Sequence, residues 1–435
     1  MNKLNGSGHL YTIKFWEIWS LMKTQDALFW LINLYLFMEY VRPQTLYPSI
    51  DVIPFARIIL LLTFCLFLLR GNFAFVKNPI NTLLVLYLLV IILSSIFAIS
   101  PGTAFAHVPD FMAWVLIYFL IINIVKSEER FLIFLLGFFL YSFKMSQFSF
   151  RNWLISGFSF IDIGWGGGPG WFHNSGEFGI QMVIFFALSA CFFLALQAYW
   201  PLWKKGFFFL FPLTALTGTI SSSSRGAVLG VGGTLLFFLL KSKHKFKGFI
   251  FIGLIALLVY VFMPDQQMAR FQAAGTDPDS IRRLVLWEIG LELVDRYPVL
   301  GVGYENWLVV LGKFYPGTNQ QVCHNIFIQC ASELGYMGLA VFIFMIAFTF
   351  INNSQTRRLA SQIATKNQFF FYMAHGLDGA LVGYLVSGFF VTVLYYPYFW
   401  INLAMTVSLR EVAKKWSASH PTNNKTSRIC GSSTP

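Results

Sequence analysis

Three stretches of this 435-residue chain combine side chains able to hold a phosphate or move a proton. The first is SSSSRGAVLG at 221–230, where four hydroxyls precede Arg225 and Gly226, with Ser224 beside the arginine. A helix opening at Gly226 would aim free backbone N–H groups where the guanidinium reaches, a combination suited to an oxyanion. The plainer reading of Arg225 alone is a side chain snorkelling from a helix end. The second is Arg283-x-x-x-Trp287, with Arg282 next to it; residues four apart share one helical face. An interfacial helix accounts for that pair. It does not account for YPVLGVGYENW at 297–307, whose Gly301 and Gly303 point to close backbone approach or positive φ. The third is His324-Asn325, followed by IFIQCASELGYMGL. A lone histidine at a membrane interface is usually structural, yet histidine is also the side chain best placed to act as a base near neutral pH. His173-Asn174 is a rival pair, within GWGGGPGWFHNSGEFG at 164–179. That loop lacks a phosphate-loop lysine and its glycines follow no strand, so it reads as a flexible or re-entrant cover and not as a nucleotide site.

The elements that must position these groups are membrane helices. Hydrophobic residues make up 57% of the chain and charged residues 11%, against about 25% charged in soluble domains. That excludes an ordinary cytosolic enzyme, a secreted disulfide scaffold and a disordered chain. Apolar runs able to span lie near 27–41, 54–69, 80–99, 109–125, 131–148, 178–199, 206–222, 226–240, 248–263, 326–350, 371–395 and 398–412. With the N-terminus cytoplasmic, 21 of the 31 basic residues fall inside, the tract KSKHKFK at 241–247 among them. The expected organisation is a tail at 1–26, nine spans over 27–263, an outer loop at 264–325, three spans over 326–412 and a tail at 413–435. Within the loop, IRRLVLWEIGLELV at 281–294 has helical apolar spacing, with Asp279 and Ser280 as cap candidates and Pro298 past its end. The sequence predicts no cleavable signal, because the first apolar run starts only near Ala27. Cys65 and Cys191 sit in apolar runs, Cys323 and Cys330 are too far apart along a helix to pair, and no cysteines have zinc-site spacing.

In order, SSSSRGAVLG, RLVLWEIGLELVDRYPVLGVGYENW and HNIFIQCASELGYMGL resemble the core of the O-antigen ligase family. FHNSGEFG at 172–179 resembles an asparagine-containing stretch of the same family, and the likeness covers about residues 170–350. The resemblance implies an all-α integral membrane protein of about twelve transmembrane helices, related to membrane-embedded glycosyltransferases, with a large periplasmic loop that contains amphipathic helices. It implies a location in the bacterial inner membrane, termini cytoplasmic and active site periplasmic. It further implies metal-independent, inverting transfer of a glycan from undecaprenyl pyrophosphate to a hydroxyl of the lipid A core or another acceptor, with no cofactor. By position, Arg225 and Arg283 would bind the pyrophosphate, with Arg282 as a further phosphate contact and Ser224 in support. His324 would take the acceptor proton, Asn325 and Glu333 would orient it, and Trp287 would belong to the loop motif. The family also includes polymerases of O-antigen or exopolysaccharide and protein O-oligosaccharyltransferases. The stretch EYVRPQTLYP at 39–48 lies outside the family pattern and leaves the acceptor open.

The rival class is a twelve-helix secondary transporter, which would carry repeats and ionisable groups at the bilayer midplane. No repeat is visible, and Glu39, Lys144, Glu177, Glu333 and Asp378 read as lying mostly toward span ends or loops. On the expected topology the inner side carries 21 basic and 6 acidic residues and the outer side 10 and 13. The net charge of +12 is then an orientation signal that needs no nucleic acid, and any outer phosphate site must rest on a few placed arginines.

Overall fold

The computed structural model describes residues 10–43, 47, 49, 53–71, 75–159, 172, 174–262, 265–318, 321–362 and 368–419. Among them no strand occurs. The helices are α1 (Phe15–Lys23), α2 (Ala27–Tyr40), α3 (Phe55–Leu69), α4 (Pro79–Ile96), α5 (Pro101–Ile124), α6 (Glu128–Ile155), α7 (Ser175–Leu196), α8 (Leu202–Ser221), α9 (Arg225–Lys241), α10 (Lys245–Phe262), α11 (Asp265–Gln272), α12 (Pro278–Arg296), α13 (Trp307–Phe314), α14 (Ile326–Gln362), α15 (Gln368–Gly388) and α16 (Pro397–Ser419). Each of the twelve apolar runs overlaps a helix, although 371–395 continues past the end of one. Six of these, α4, α5, α6, α7, α14 and α15, are long and apolar enough to cross a membrane, while α2 and α3 are apolar but shorter. The molecule is an all-α membrane protein.

The helices start where local chemistry says they should. Asp26, Asn78, Ser127, Asn174, Ser224 and Asp277 each accept a backbone N–H of the first turn that follows, meeting donors that have no partner inside the helix. For α12 the cap is Asp277, two residues before the expected Asp279. Pro278 takes the first helical position, where its fixed φ and missing N–H cost nothing.

Helix α7 is the centre of the bundle, with 83% of its span buried inside the protein. Its most extensive contact is with α15, which also packs on α9. Small residues allow that approach. A Cβ on Gly230 of α9 would lie 2.0 Å from Ser387 Oγ, and one on Gly383 of α15 would lie 2.4 Å from Val183 Cγ1. Without hydrophobic pressure between helices in lipid, such close packing holds them together. A small second core sits over the loop, formed by Leu286, Ile289 and Leu293 of α12 with Trp307, Val310 and Leu311.

Three expectations need correction. The run 371–395 is not one span: α15 ends at Gly388, and 389–396 is irregular. Hydropathy cannot separate FFVTVLYY from helix, because both are apolar. Lys144 and Asp378 lie well inside α6 and α15 instead of toward their ends; Asp378 is buried and paired with Arg357 of α14, which compensates its charge. Finally, α14 is broken at Gly335, which has φ 66° and ψ −171°. The loop before it crosses the break. Val302 N–H donates to Ser332 O (2.8 Å), Gly303 N–H to Glu333 O (3.1 Å), and Tyr336 N–H to Pro298 O (2.7 Å). Backbone groups freed by the break are thus satisfied by the loop. A Cβ on Gly335 would meet Val299 O at 2.2 Å, and one on Gly301 would meet Glu333 C at 2.3 Å. The glycines of PVLGVG and ELG are therefore two halves of one contact. His173 and residues 164–171 of the glycine-rich loop lie outside the described residues, as do positions 44–46 and 48 of EYVRPQTLYP.

Candidate active site

A cavity of about 610 Å³ opens where α7, α9, α12 and the first part of α14 begin. Arg225, Arg283, His324, Ser224 and Glu333 all line it. Four capped helix starts meet here. Asn174 and Ser224 line the cavity, Asp277 bonds Arg225, and Asn325 follows His324 and accepts Phe327 N–H (2.9 Å) and Ile328 N–H (3.2 Å). Helix N-termini carry partial positive charge, so their convergence with two arginines suits an anion.

Arg225 reaches across to the start of α12. It donates to both Asp277 oxygens, at 2.9 and 3.2 Å, and to Ser280 Oγ at 3.4 Å. The hydrogen bond from this guanidinium, above all, holds the Asp277 carboxyl well below the usual carboxylate range. The same pair borders a second cavity of about 430 Å³, lined in part by Ala269 and Ala273. The snorkelling reading of Arg225 does not fit a side chain engaged in this way. Arg282 points elsewhere: it lies 3.7 Å from Asp279, more exposed, and does not line the cavity.

His324 is held by its backbone. Its φ is 56°, and its N–H donates to Thr392 Oγ1 at 2.6 Å. Trp287 fastens the residue before it, donating from Nε1 to Cys323 O at 3.1 Å while its ring packs on Phe389 and Phe390. Trp287 is thus a brace for the histidine segment and not a headgroup anchor. Burial lowers the His324 pKa to about 4, helped by the positive charge of Arg283 and opposed by Asp279. The ring is neutral near pH 7 and free to accept a proton. Asn325 caps α14; no hydrogen bond from it to the His324 ring is among those of the described residues. Glu333 lines the cavity, fully buried, and accepts Tyr395 OH (2.9 Å) and Trp307 N–H (3.3 Å).

Sequence reasoning missed several wall residues. Thr392, Tyr395 and Tyr396 come from the irregular 389–396 segment, and Glu305 and Gln329 from the loop and the first part of α14. Tyr396 OH donates to Glu177 Oε1 at 3.1 Å. A cluster of aromatics just before Pro397, as at a membrane interface, was the available signal for that segment. Ser223 (φ 55°), Glu305 (φ 54°) and His324 (φ 56°) all line the cavity. Non-glycine residues in this region are strained by roughly 1–3 kcal/mol each, and such strain gathers at functional sites. Among the described residues, no three His, Cys, Asp or Glu side chains are grouped to hold a metal ion.

Comparison with known proteins gives a family match over this part of the chain. The exopolysaccharide production protein ExoQ of Rhizobium meliloti (strain 1021) is 27% identical over 206 residues, covering 43% of this chain and 46% of that protein. The match thus spans about half the length of the relative. Residues 208–343, which carry Arg225, Arg283, His324 and Glu333, match the family described as O-Antigen ligase.

Proposed function

We propose that the protein transfers a glycan from a lipid pyrophosphate to an acceptor hydroxyl at the outer face of the bacterial inner membrane. The observation that carries this is the meeting of Arg225, Arg283 and His324 on the wall of one cavity. The arginines, backed by the helix starts, hold the pyrophosphate and offset charge as it leaves. The neutral His324 ring takes the proton of the acceptor O–H while that oxygen bonds to the anomeric carbon and the bond to the phosphate breaks. Attack from the side opposite the leaving group inverts the anomeric centre. Thr392 and Trp287 position the histidine. We infer further that α2, α3, α8, α9, α10 and α16 complete twelve crossings, with residues 264–325 periplasmic and both termini cytoplasmic, as the distribution of lysine and arginine favours. The donor is undecaprenyl pyrophosphate-linked glycan; the lipid A core is one acceptor, and a growing polysaccharide is the other. The likeness to an exopolysaccharide production protein favours the polymer-building reading.

The test is transfer in vesicles with a lipid-linked glycan and each acceptor in turn. His324→Ala is expected to lose activity by about 10²–10⁴-fold, the usual contribution of a positioned base. Wild-type rates at normal expression would refute the base assignment. Full activity of both Arg225→Ala and Arg283→Ala at limiting donor would refute the phosphate clamp.

A further inference from the structure

The cavity wall carries groups of both signs. Arg225, Arg283 and the helix starts lie on it, and so do the carboxyl groups of Glu177, Glu305 and Glu333. Glu177 and Glu333 are engaged by Tyr396 and Tyr395. Glu305 faces His107 and Asp110 through space. Gln329 adds an independent observation. It is 5% exposed and lines the cavity. Its Nε2 donates to Glu333 Oε2 at 3.5 Å, which directs Oε1 away, and Oε1 has no hydrogen-bond partner among the described residues. A buried acceptor left in this state costs about 1–3 kcal/mol, so the position calls for a donor.

The chemistry narrows what supplies it. An apolar ligand would leave Gln329 unsatisfied. An anion would meet the carboxyl groups of Glu305 and Glu177, and like charges at close range are costly. A neutral ligand rich in hydroxyls donates to each of these acceptors, and Trp307 and Tyr395 add flat faces to the same wall. The volume lies within the usual range for small-molecule sites of roughly 300–1,000 Å³. The geometry points to a carbohydrate subsite at Glu305 and Gln329 in the cavity, selective for neutral hydroxyl-bearing sugars over anionic ones. Naming the ligand a sugar rests on the glycan-transfer reading.

The experiment is saturation-transfer NMR on the purified full chain in detergent, with methyl glucoside and methyl glucuronide as probes. Wild-type protein is expected to bind the glucoside roughly tenfold more tightly than the glucuronide. Glu305→Gln, which keeps the shape, should erase most of that preference. Gln329→Met, which keeps the length, should weaken the glucoside by roughly tenfold. Monodisperse elution verifies that each variant is folded. Equal binding of the two probes, no binding of either, or variants indistinguishable from wild type would overturn the subsite. Because binding is read without transfer, the two readings fail separately. Discrimination between glycosides without transfer from any lipid-linked donor refutes the proposed reaction alone. Transfer abolished by His324→Ala, without discrimination, refutes the subsite alone.

Discussion

The acid limb of the pH–rate profile offers a quantitative test of the histidine assignment. Burial and the neighbouring Arg283 hold the His324 pKa at about 4, and kcat/KM reports the free enzyme. At pH 6 a base of pKa 4 is about 99% neutral, whereas one at the ordinary 6.5 is about 24% neutral. Transfer at limiting donor should therefore be flat between pH 8 and 6, where an unshifted histidine would lose about fourfold. Arg283→Met removes a positive charge that disfavours the imidazolium, so the midpoint should move up while burial keeps it below 6.5. The amplitude also falls, since Arg283 belongs to the proposed clamp, so the midpoint is the quantity to read. A wild-type limb centred near 6.5 that does not move in Arg283→Met would refute both the environment of His324 and its role. The same shift sets a stability trend. Below pH 6.5 the unfolded chain takes up a proton that the folded one refuses, so stability should drop as pH falls from about 6.5 toward 4.

Other perturbations follow from the architecture. Gly335→Ala forces a side chain into φ 66° and within 2.2 Å of Val299 O, and should cost at least about 2 kcal/mol in thermal unfolding. Gly102→Ala, whose Cβ meets nothing within 4 Å, is the control, and equal melting of the two would refute the break as a required feature. Asp277→Asn keeps a good cap for α12 but removes the carboxylate that the proposed pyrophosphate would have to displace from Arg225. The donor KM should fall several-fold, and an unchanged or higher KM counts against displacement. Trp287→Phe deletes the donor to Cys323 O, a loss of about 1 kcal/mol, and should lower kcat while leaving the donor KM in place; a change confined to KM would argue against a brace.

Much of the site was legible in the sequence because its chemistry is local. Arg225 stands beside its hydroxyls, Arg283 and Trp287 share a helical face, and His324 opens a helix. Apolar runs at membrane length and the placement of lysine and arginine pointed to an all-helical membrane protein, because hydrocarbon leaves the backbone few other solutions. The tertiary structure decided what depends on contacts between distant segments. Only packing brings Asp277 to Arg225, Thr392 to the His324 backbone and Tyr395 to Glu333. Only the packed chain shows that α14 is broken at Gly335, where the loop crosses at Gly301, and that 389–396 leaves the end of α15 to line the cavity. Hydropathy measures how apolar a segment is. It does not register a left-handed residue or a hydrogen bond made far along the chain, and those contacts set the shape and polarity of the site.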